Sequence, residues 1–492
     1  MKDNLRKWIA QHRKLLLWLG GYTVFFFVLA WRKYAVMNSN SGDAWAMIEA
    51  FNCTLRGKLM YIPTYEMSYL GNHASLIVLW VVPLFWLLPT APTLYFAQSL
   101  SIGLSGIPFY LLSRKVLDDR RAASLLTAAY LFYPTVVTMH VDQLHLEVFG
   151  LPFLMAAAYF FFEARFFPFV IFALLGMMGQ ENLPFTVAAF GVYAAVRRRN
   201  IKWIVVPILL AAIYEVFALK VFMPYFAGPE GMSAVAYHTL LGLPPKEFIH
   251  AALTNPLPLL AYLTDAEHVF YLMQVFQPLL WVAPLLAPEF LLVVPALGMN
   301  LALDSASRVI AWHYGLATGA FLCVATIFGV RNISQVLEAR WNLAHARLML
   351  SACICALCIA SWPFWLEPSQ FATHAYYPTL EKVLALIPPD KSVLAPMSMI
   401  AHFSDREDSR LQACFSPEVT RKSQLRGFLV WPQEDMYKMD YVIFDANDRR
   451  FPPNVATRDL VMSYYTNTNY QLVFNENNVF VFRRRESVPI AR

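Results

Sequence analysis

Long apolar runs alternate along this chain with short polar breaks, and most runs have roughly the 17–25 residues that a bilayer crossing needs. Eleven candidate spans follow: 15–34, 92–112, 122–140, 149–165, 166–182, 183–197, 203–223, 270–286, 288–303, 314–331 and 347–365. A further apolar run, ASLIVLWVVPLFWLL at 74–88, is long enough to be a twelfth. Counting it would put the basic loop SRKVLDDRR outside and the acidic segment VDQLHLE inside, against the positive-inside rule. The run is therefore expected as an amphipathic or re-entrant helix lying in the outer interface. The N-terminal run is too long for a signal peptide and lacks a small-residue cleavage site, so it reads as a retained first span.

With that assignment the cations fall on one side. Lys2, Arg6, Lys7, Arg13, Lys14, Arg114, Lys115, Arg120, Arg121, Arg165, Arg197, Arg198, Arg199, Lys202, Arg331, Arg340 and Arg347 lie inside. The odd number of spans then leaves the C-terminus outside. The expected fold is an α-helical polytopic membrane protein with two large outer loops, 35–91 and 224–269, inside a membrane domain 1–366. Residues 367–492 follow as a small extracytoplasmic α/β domain of three or four strands. Its signals are the helical TLEKVLALI, the strand-like segments after PPDK and in DYVIFDAND, and a hairpin in YQLVFNENNVFVFRR. Asp440 and Asp445 at its strand ends read as solvated turn residues.

Composition sharpens this division. Charged residues are 15% of the chain and hydrophobic residues 58%, which excludes a cytosolic enzyme. The charge is uneven, with 42 charged residues in the first 366 positions and 30 in the last 126. The net charge of +6 lies in clusters beside apolar runs, so it orients the protein and gives no reason to expect nucleic acid. Cys353, Cys355 and Cys358 are expected as small core residues. Cys53 and Cys414 are placed to meet outside the membrane, although two cysteines make no framework.

Acids beside a membrane are costly unless solvated or used. The first outer loop carries Asp43 in NSNSGDAW and His73 in YLGNHASL, and the second carries Asp142, His145 and Glu147 in HVDQLHLE. Gln180 and Glu181 sit in the very short loop GQENLP, and Asp304, Arg308 and His313 in LDSASRVIAWHY. Titratable groups on separate loops at one end of the bundle are what a site between helix ends requires. Each also has a plainer reading. Asp43 suits a helix cap as well as catalysis. His73 suits headgroup depth as well as a ligand, and Arg308 and His313 suit a phosphate site as well as the end of a span. Glu215, within the seventh run, is compatible with a buried partner or a cavity. No HExxH or CxxC pattern supports a metal site, so its ligands stay unassigned.

This layout resembles the GT-C superfamily, membrane glycosyltransferases that take sugars from polyprenyl-phosphate carriers. GDAW (42–45), GNHASLIVLWVVPLFWLLP (71–89), DQLHLEVFGLPFL (142–154), GQEN (179–182), WHY (312–314) and IPPDKSVLAPMSMIAHFSDR (387–406) are similar to a narrower DUF2079-like group of bacterial predicted membrane proteins. The resemblance implies an inverting transfer at the outer face of the cytoplasmic (inner) membrane, with the N-terminus cytoplasmic. It carries the general-base role onto Asp43, with Asp142 or Glu181 as a second acid that orients the acceptor or holds a divalent cation such as Mg or Mn. Arg308, His313 and His73 would face the departing lipid phosphate, and His145, Glu147 and Gln180 would line the substrate pocket. The implied partners are a polyprenyl-phosphate-linked sugar, the bilayer and an acceptor left open. Two other classes remain: a lipid or sugar-lipid flippase, for which broken helices and mid-membrane charge are the marks, and an inactive scaffold that binds a partner through its outer domain.

Overall fold

The first apolar run folds without a break into α1 (Lys2–Ala35). At 1.5 Å per residue a helix of this size is about 50 Å long, more than the hydrocarbon core of a bilayer. The protein is described by a computed structural model that covers residues 2–38, 42–141, 143–227, 245–255, 257, 261, 263–303, 308–310, 312–362, 366–406, 408–411, 415–416, 423–425, 428–448 and 457–485. Among these residues, three helices are long and apolar enough to cross a membrane: 6–35, 201–227 and 313–341. A pair bent by 60°, Arg120–Leu131 with Pro134–His140, passes the same test only when its two halves are taken together, and several shorter apolar helices accompany them.

After α1 the chain forms α2 (Gly42–Leu55), a two-residue ribbon of β1 (Tyr61–Ile62) and β2 (Met67–Ser68), and α3 (Val78–Leu87). α4 (Ala91–Leu117) runs next and packs on α1. A left-handed Asp118 ends it, and the Asp119 carboxylate caps α5 (Arg120–Leu131) through the amides of Arg121 and Ala122 at 2.7 and 3.1 Å. Pro134 then opens the short α6 (Pro134–Val137) and throws the chain into the bend. α7 (Leu151–Phe162), α8 (Phe166–Met177), α9 (Leu183–Val196) and α10 (Ile201–Phe217) follow as adjacent partners.

The spans expected at 270–286 and 288–303 are not continuous helices. Pro278, Pro284 and Pro288 each start a new 3₁₀ turn, and only Ala266–Phe276 and Val294–Ala302 are α-helical. The two legs still pair as a hairpin. His268 Nε2 meets the Leu301 carbonyl at 3.0 Å at the open end, and Asn332 Nδ2 donates to Leu286 O at 2.8 Å near the tip. At that tip Gly329, on the helix Leu316–Trp341, lies so close to Ala283 that a Cβ would fall 1.7 Å from its carbonyl oxygen, so no larger residue fits. Of the three clustered cysteines, Cys355 and Cys358 are buried, whereas Cys353 is exposed.

Residues beyond 366 form a mixed five-stranded sheet in the order β4 (Ser409–Leu411), β3 (Val393–Ala395), β8 (Tyr441–Asp445), β10 (Val479–Arg484), β9 (Tyr470–Glu476), which together with three further strands exceeds the three or four expected for this domain. A three-stranded piece joins β5 (Phe415–Ser416), β7 (Phe428–Pro432) and β6 (Ser423–Leu425). The hairpin turns on Asn477 and Asn478, both with positive φ, as a two-residue type I′ loop requires. Asp440 and Asp445 are not solvated turn residues. Asp440 Oδ2 accepts from the amide and hydroxyl of Ser392, both at 3.0 Å, and the buried Asp445 accepts from Ser398 Oγ at 3.3 Å and the Asn447 amide at 3.0 Å. Cys414 lies outside the described residues, so its pairing with the buried Cys53 stays an expectation.

This sheet shares one apolar core with α2 and α3: Ala44, Trp45, Ile48, Phe51 and Phe85 pack with Leu394, Ile400, Phe403 and Leu411. Polar contacts fix the seam. Glu49 Oε1 accepts from Ser409 Oγ at 2.8 Å, and Arg56 donates to the carbonyls of Asp405 and Arg406, both at 2.9 Å. A second seam ties the sheet to α1, where the His402 ring stacks on Tyr34 at 4.2 Å and its Nε2 donates to the Tyr34 carbonyl at 3.0 Å. Burial, only partly offset by that hydrogen bond, pushes the His402 pKa down to about 4. The imidazole is thus neutral when folded but takes a proton when unfolded below about pH 6.5, so its stabilisation is complete above that pH and lost as pH falls toward 4. Thermal melting in detergent should fall faster for the wild type than for His402→Gln between pH 7 and 4.5. Parallel pH profiles would remove His402 as the source of acid sensitivity.

Candidate functional site

A primary amide inside an apolar helix must find partners for both its ends. Gln98 of α4 is fully buried and finds them in the chain that follows α6. Its Nε2 donates to the carbonyls of Met139 at 2.6 Å and Gln143 at 2.8 Å, and its Oε1 accepts from the His145 amide at 2.9 Å. Residues 139–145 are thereby strapped onto α4, and Lys33 of α1 adds a bond to the Val141 carbonyl at 2.7 Å. The strap reaches α2 through Gln143, whose Oε1 accepts from the amides of Asp43 at 2.5 Å and Ala44 at 3.2 Å. These are first-turn amides, which have no partner inside their own helix. Asp43 itself stands in that turn, where the helix dipole favours a carboxylate.

The strap brings the expected residues together. Ligating atoms of Asp43, His145 and His313 all lie within 4.8 Å of one another, and the rings of His145 and His313 stack at 3.9 Å. Beside them Glu181 is buried, with Oε1 2.9 Å from His73 Nδ1 and Oε2 accepting from the Ala74 amide at 3.0 Å. The Gln180 amide also meets His73 Nδ1, at 3.1 Å. With the Nδ1 proton shared toward Glu181, this contact requires the Gln180 oxygen to face the ring, an amide assignment that the hydrogen-bond network decides. The loop that carries Gln180 and Glu181 comes this close because Gly179 lies against Glu147 and Gly150. A Cβ on Gly179 would meet the Glu147 carbonyl at 3.2 Å, and one on Gly150 would meet the Gly176 carbonyl at 2.6 Å.

Charge and burial compete here. Burial alone would lower the His73 pKa, yet the Glu181 carboxylate, helped by Glu147 and Asp43, lifts it above the ordinary value. Burial would raise Glu181, and the charge and hydrogen bond of His73 bring it below the usual carboxylate range. His73 and Glu181 are therefore an ion pair. Burial pushes Glu147 up to about 7 against the pull of His145 and His73, with Glu181 and Asp43 adding to the rise. Glu147, Gln180, Asn182, His313 and Tyr314 line a cavity of about 20 Å³, enough for about one water. Asn182 Oδ1 is buried there with no hydrogen-bond partner among the described residues.

Arg308 is not seen in this cluster. Its buried guanidinium donates to Glu267 at 3.2 Å and to the Leu303 carbonyl at 2.8 Å, which ties it to the hairpin end. Asp142 and Asp304 lie outside the described residues. Gln98 and Gln143, which assemble the cluster, were not among the expected residues. A Gln inside the apolar run of α4 was the available signal for the first, because such a residue has to be bonded somewhere. Nothing local marked Gln143, whose partners are a hundred residues away. Tyr69, whose hydroxyl feels Glu147 first and then Asp43 and Glu181, has no pattern in the sequence either.

The ion pair has a defined pH window. The raised His73 contributes stability that is complete below about pH 6.5 and is lost as pH climbs through its folded pKa. The lowered Glu181 contributes above about 4.5 and loses it as pH falls through its folded value. The melting temperature of Glu181→Gln should therefore fall furthest below wild type at about pH 5–6.5. A deficit that is equal at pH 5.5 and pH 9 would contradict the pairing.

The whole chain superposes on the crystal structure of ArnT from Cupriavidus metallidurans bound to undecaprenyl phosphate, with a TM-score of 0.54, 11% sequence identity and coverage of 95% of this chain and 98% of that one. Against apo ArnT the TM-score is 0.53, again at 11% identity, with 94% and 98% covered. Identity this low speaks for the fold, which is the GT-C fold of these membrane proteins. No curated protein matches. Residues 33–481 match the family described as Predicted membrane protein (DUF2079), so this chain is a membrane protein that belongs to the DUF2079 family and shares the GT-C fold.

Proposed function

We propose that this chain is an inverting glycosyltransferase that moves a sugar from a polyprenyl-phosphate donor to an acceptor at the outer face of the bacterial cytoplasmic membrane. The observation that supports it best is the gathering of Asp43, His73, His145, Glu147, Glu181 and His313 from distant segments into one pocket. In this reading the chain crosses eleven times, with the broken hairpin supplying two crossings, the N-terminus inside, and the sheet domain and the pocket outside. α3 lies in the outer interface. It buries Val78, Val81 and Phe85 and exposes Leu79, Trp80, Trp86 and Leu87, an apolar outer face that suits lipid at headgroup depth. ArnT, which shares the fold, is seen with undecaprenyl phosphate, and this favours a polyprenyl-phosphate lipid here.

The chemistry follows from the charges. The Asp43 carboxylate, exposed at the start of α2, takes the proton of an acceptor hydroxyl as that oxygen attacks the anomeric carbon from the face opposite the leaving group. The bond to the phosphate oxygen breaks with inversion, and the leaving group gains negative charge. Arg308 is engaged with Glu267, so this role passes to His73, whose Nε2 takes no part in the bonds to Glu181 and Gln180. Glu147, poised at about 7, can hold or release a proton beside the acceptor.

Two experiments bear on this reading. Asp43→Asn should leave the protein folded in detergent and lower transfer from a polyprenyl-phosphate sugar by at least a hundredfold, on the order of what general-base catalysis supplies. Turnover within a few fold of wild type would remove Asp43 from the base role. For orientation, a cysteine replacing the exposed Lys58 should react with an impermeant maleimide in intact cells. Labelling only after permeabilisation would invert the topology.

A further inference from the structure

We propose that Asp43, His145 and His313 bind a divalent transition-metal ion of the zinc class, as an open site with two imidazoles and one carboxylate. Their ligating atoms are already within 4.8 Å of one another, whereas a tetrahedral ion with bonds of about 2.0–2.1 Å sets its ligands about 3.4 Å apart. The required closure is at most about 1.4 Å for any pair, a shift that side-chain rotations of the exposed Asp43 and of the two imidazoles can supply.

Three further features make this a built site. Both sides of it are held by backbone, since Gln98 fixes the His145 amide at 2.9 Å and Gln143 fixes the Asp43 amide at 2.5 Å, while Gln98 also holds the Gln143 carbonyl. Such supporting bonds orient ligands and raise affinity. The stack of His145 on His313 at 3.9 Å brings two imidazoles to the wall that carries Asp43, and binding splays the rings to about 5 Å between centroids so that both lone pairs reach one tetrahedral ion. The surroundings are acidic: Asp43, Glu147 and Glu181 act on one another across the pocket, opposed by the imidazoles of His145 and His73.

Donor chemistry selects the ion. Two nitrogen ligands favour zinc, cobalt or nickel over magnesium, which prefers an all-oxygen octahedron. This differs from the Mg or Mn expected by resemblance, and the ligand set differs from the Asp142 or Glu181 considered there. Three protein ligands leave coordination positions for oxygen atoms of a bound molecule, as in catalytic rather than structural zinc sites. A cation here would lower the pKa of a coordinated hydroxyl and would leave the second oxygen of Asp43 available to accept its proton.

The inference rests on the geometry of the pocket and not on the transfer reading. The full-length protein in detergent, stripped with chelator and titrated with Zn²⁺, should take up one zinc per chain by mass spectrometry of the dialysed protein. Co²⁺ should give the visible bands of a four- or five-coordinate ion. His145→Ala and His313→Ala should each weaken zinc uptake at least tenfold, and a thousandfold excess of Mg²⁺ should not displace zinc. His145→Gln serves if either alanine variant fails to fold, and zinc should raise the melting temperature of the wild type but not of these variants. Uptake below one zinc per chain, or uptake unchanged by both histidine variants, would overturn the site while leaving a metal-free Asp43 base intact. Zinc bound normally by a wild type that shows no transfer would sink the transfer reading and leave the metal site standing.

Discussion

One amide governs the end of the bundle that carries the pocket. Gln98 stands in a helix whose neighbours are apolar, where an unbonded side-chain amide costs several kcal/mol. Satisfying both of its ends holds Met139, Gln143 and His145 against α4, and Lys33 of α1 adds its bond to Val141. From the Gln98 amide hang the His145 backbone and, through Gln143, the start of α2 with Asp43. Polar satisfaction in the bundle thus sets the geometry of the pocket.

The second constraint comes from the opposite side. α2 is covered by the five-stranded sheet, with Glu49 bonded to Ser409 and Arg56 to the carbonyls of Asp405 and Arg406. Burial raises the Glu49 pKa well above the ordinary value, beyond what its Ser409 bond can offset. The helix that presents Asp43 is therefore gripped by the bundle at its first turn and by the sheet along its length. Residues beyond 366 act as part of the wall that positions the pocket, since they share a core with α2 and α3.

Much of the architecture was legible in the sequence because membrane solvation leaves a strong one-dimensional mark. Apolar length located most of the helices, and alternating β-branched and aromatic residues marked β8 and the hairpin on Asn477 and Asn478. The pair at 270–303 was misjudged as regular helix because apolar length says nothing of backbone geometry, and Pro278, Pro284 and Pro288 break it into turns. The strands were undercounted because β4, β5 and β6 have only two or three residues each, too short to show an alternation. Asp445 looked like a turn acid because its partner Ser398 is 47 positions away.

Taken alone, the sequence determined that the chain lives in a membrane, where its apolar stretches run, and which loops carry acids and imidazoles. These depend on solvation and local pattern, which neighbouring residues record. The folded structure alone decided that His73 pairs with Glu181, that His145 stacks on His313 beside Asp43, and that Arg308 turns away to Glu267. Those outcomes depend on side chains separated by some 40 to 170 positions, whose meeting is fixed by helix packing and by a buried amide's need for partners.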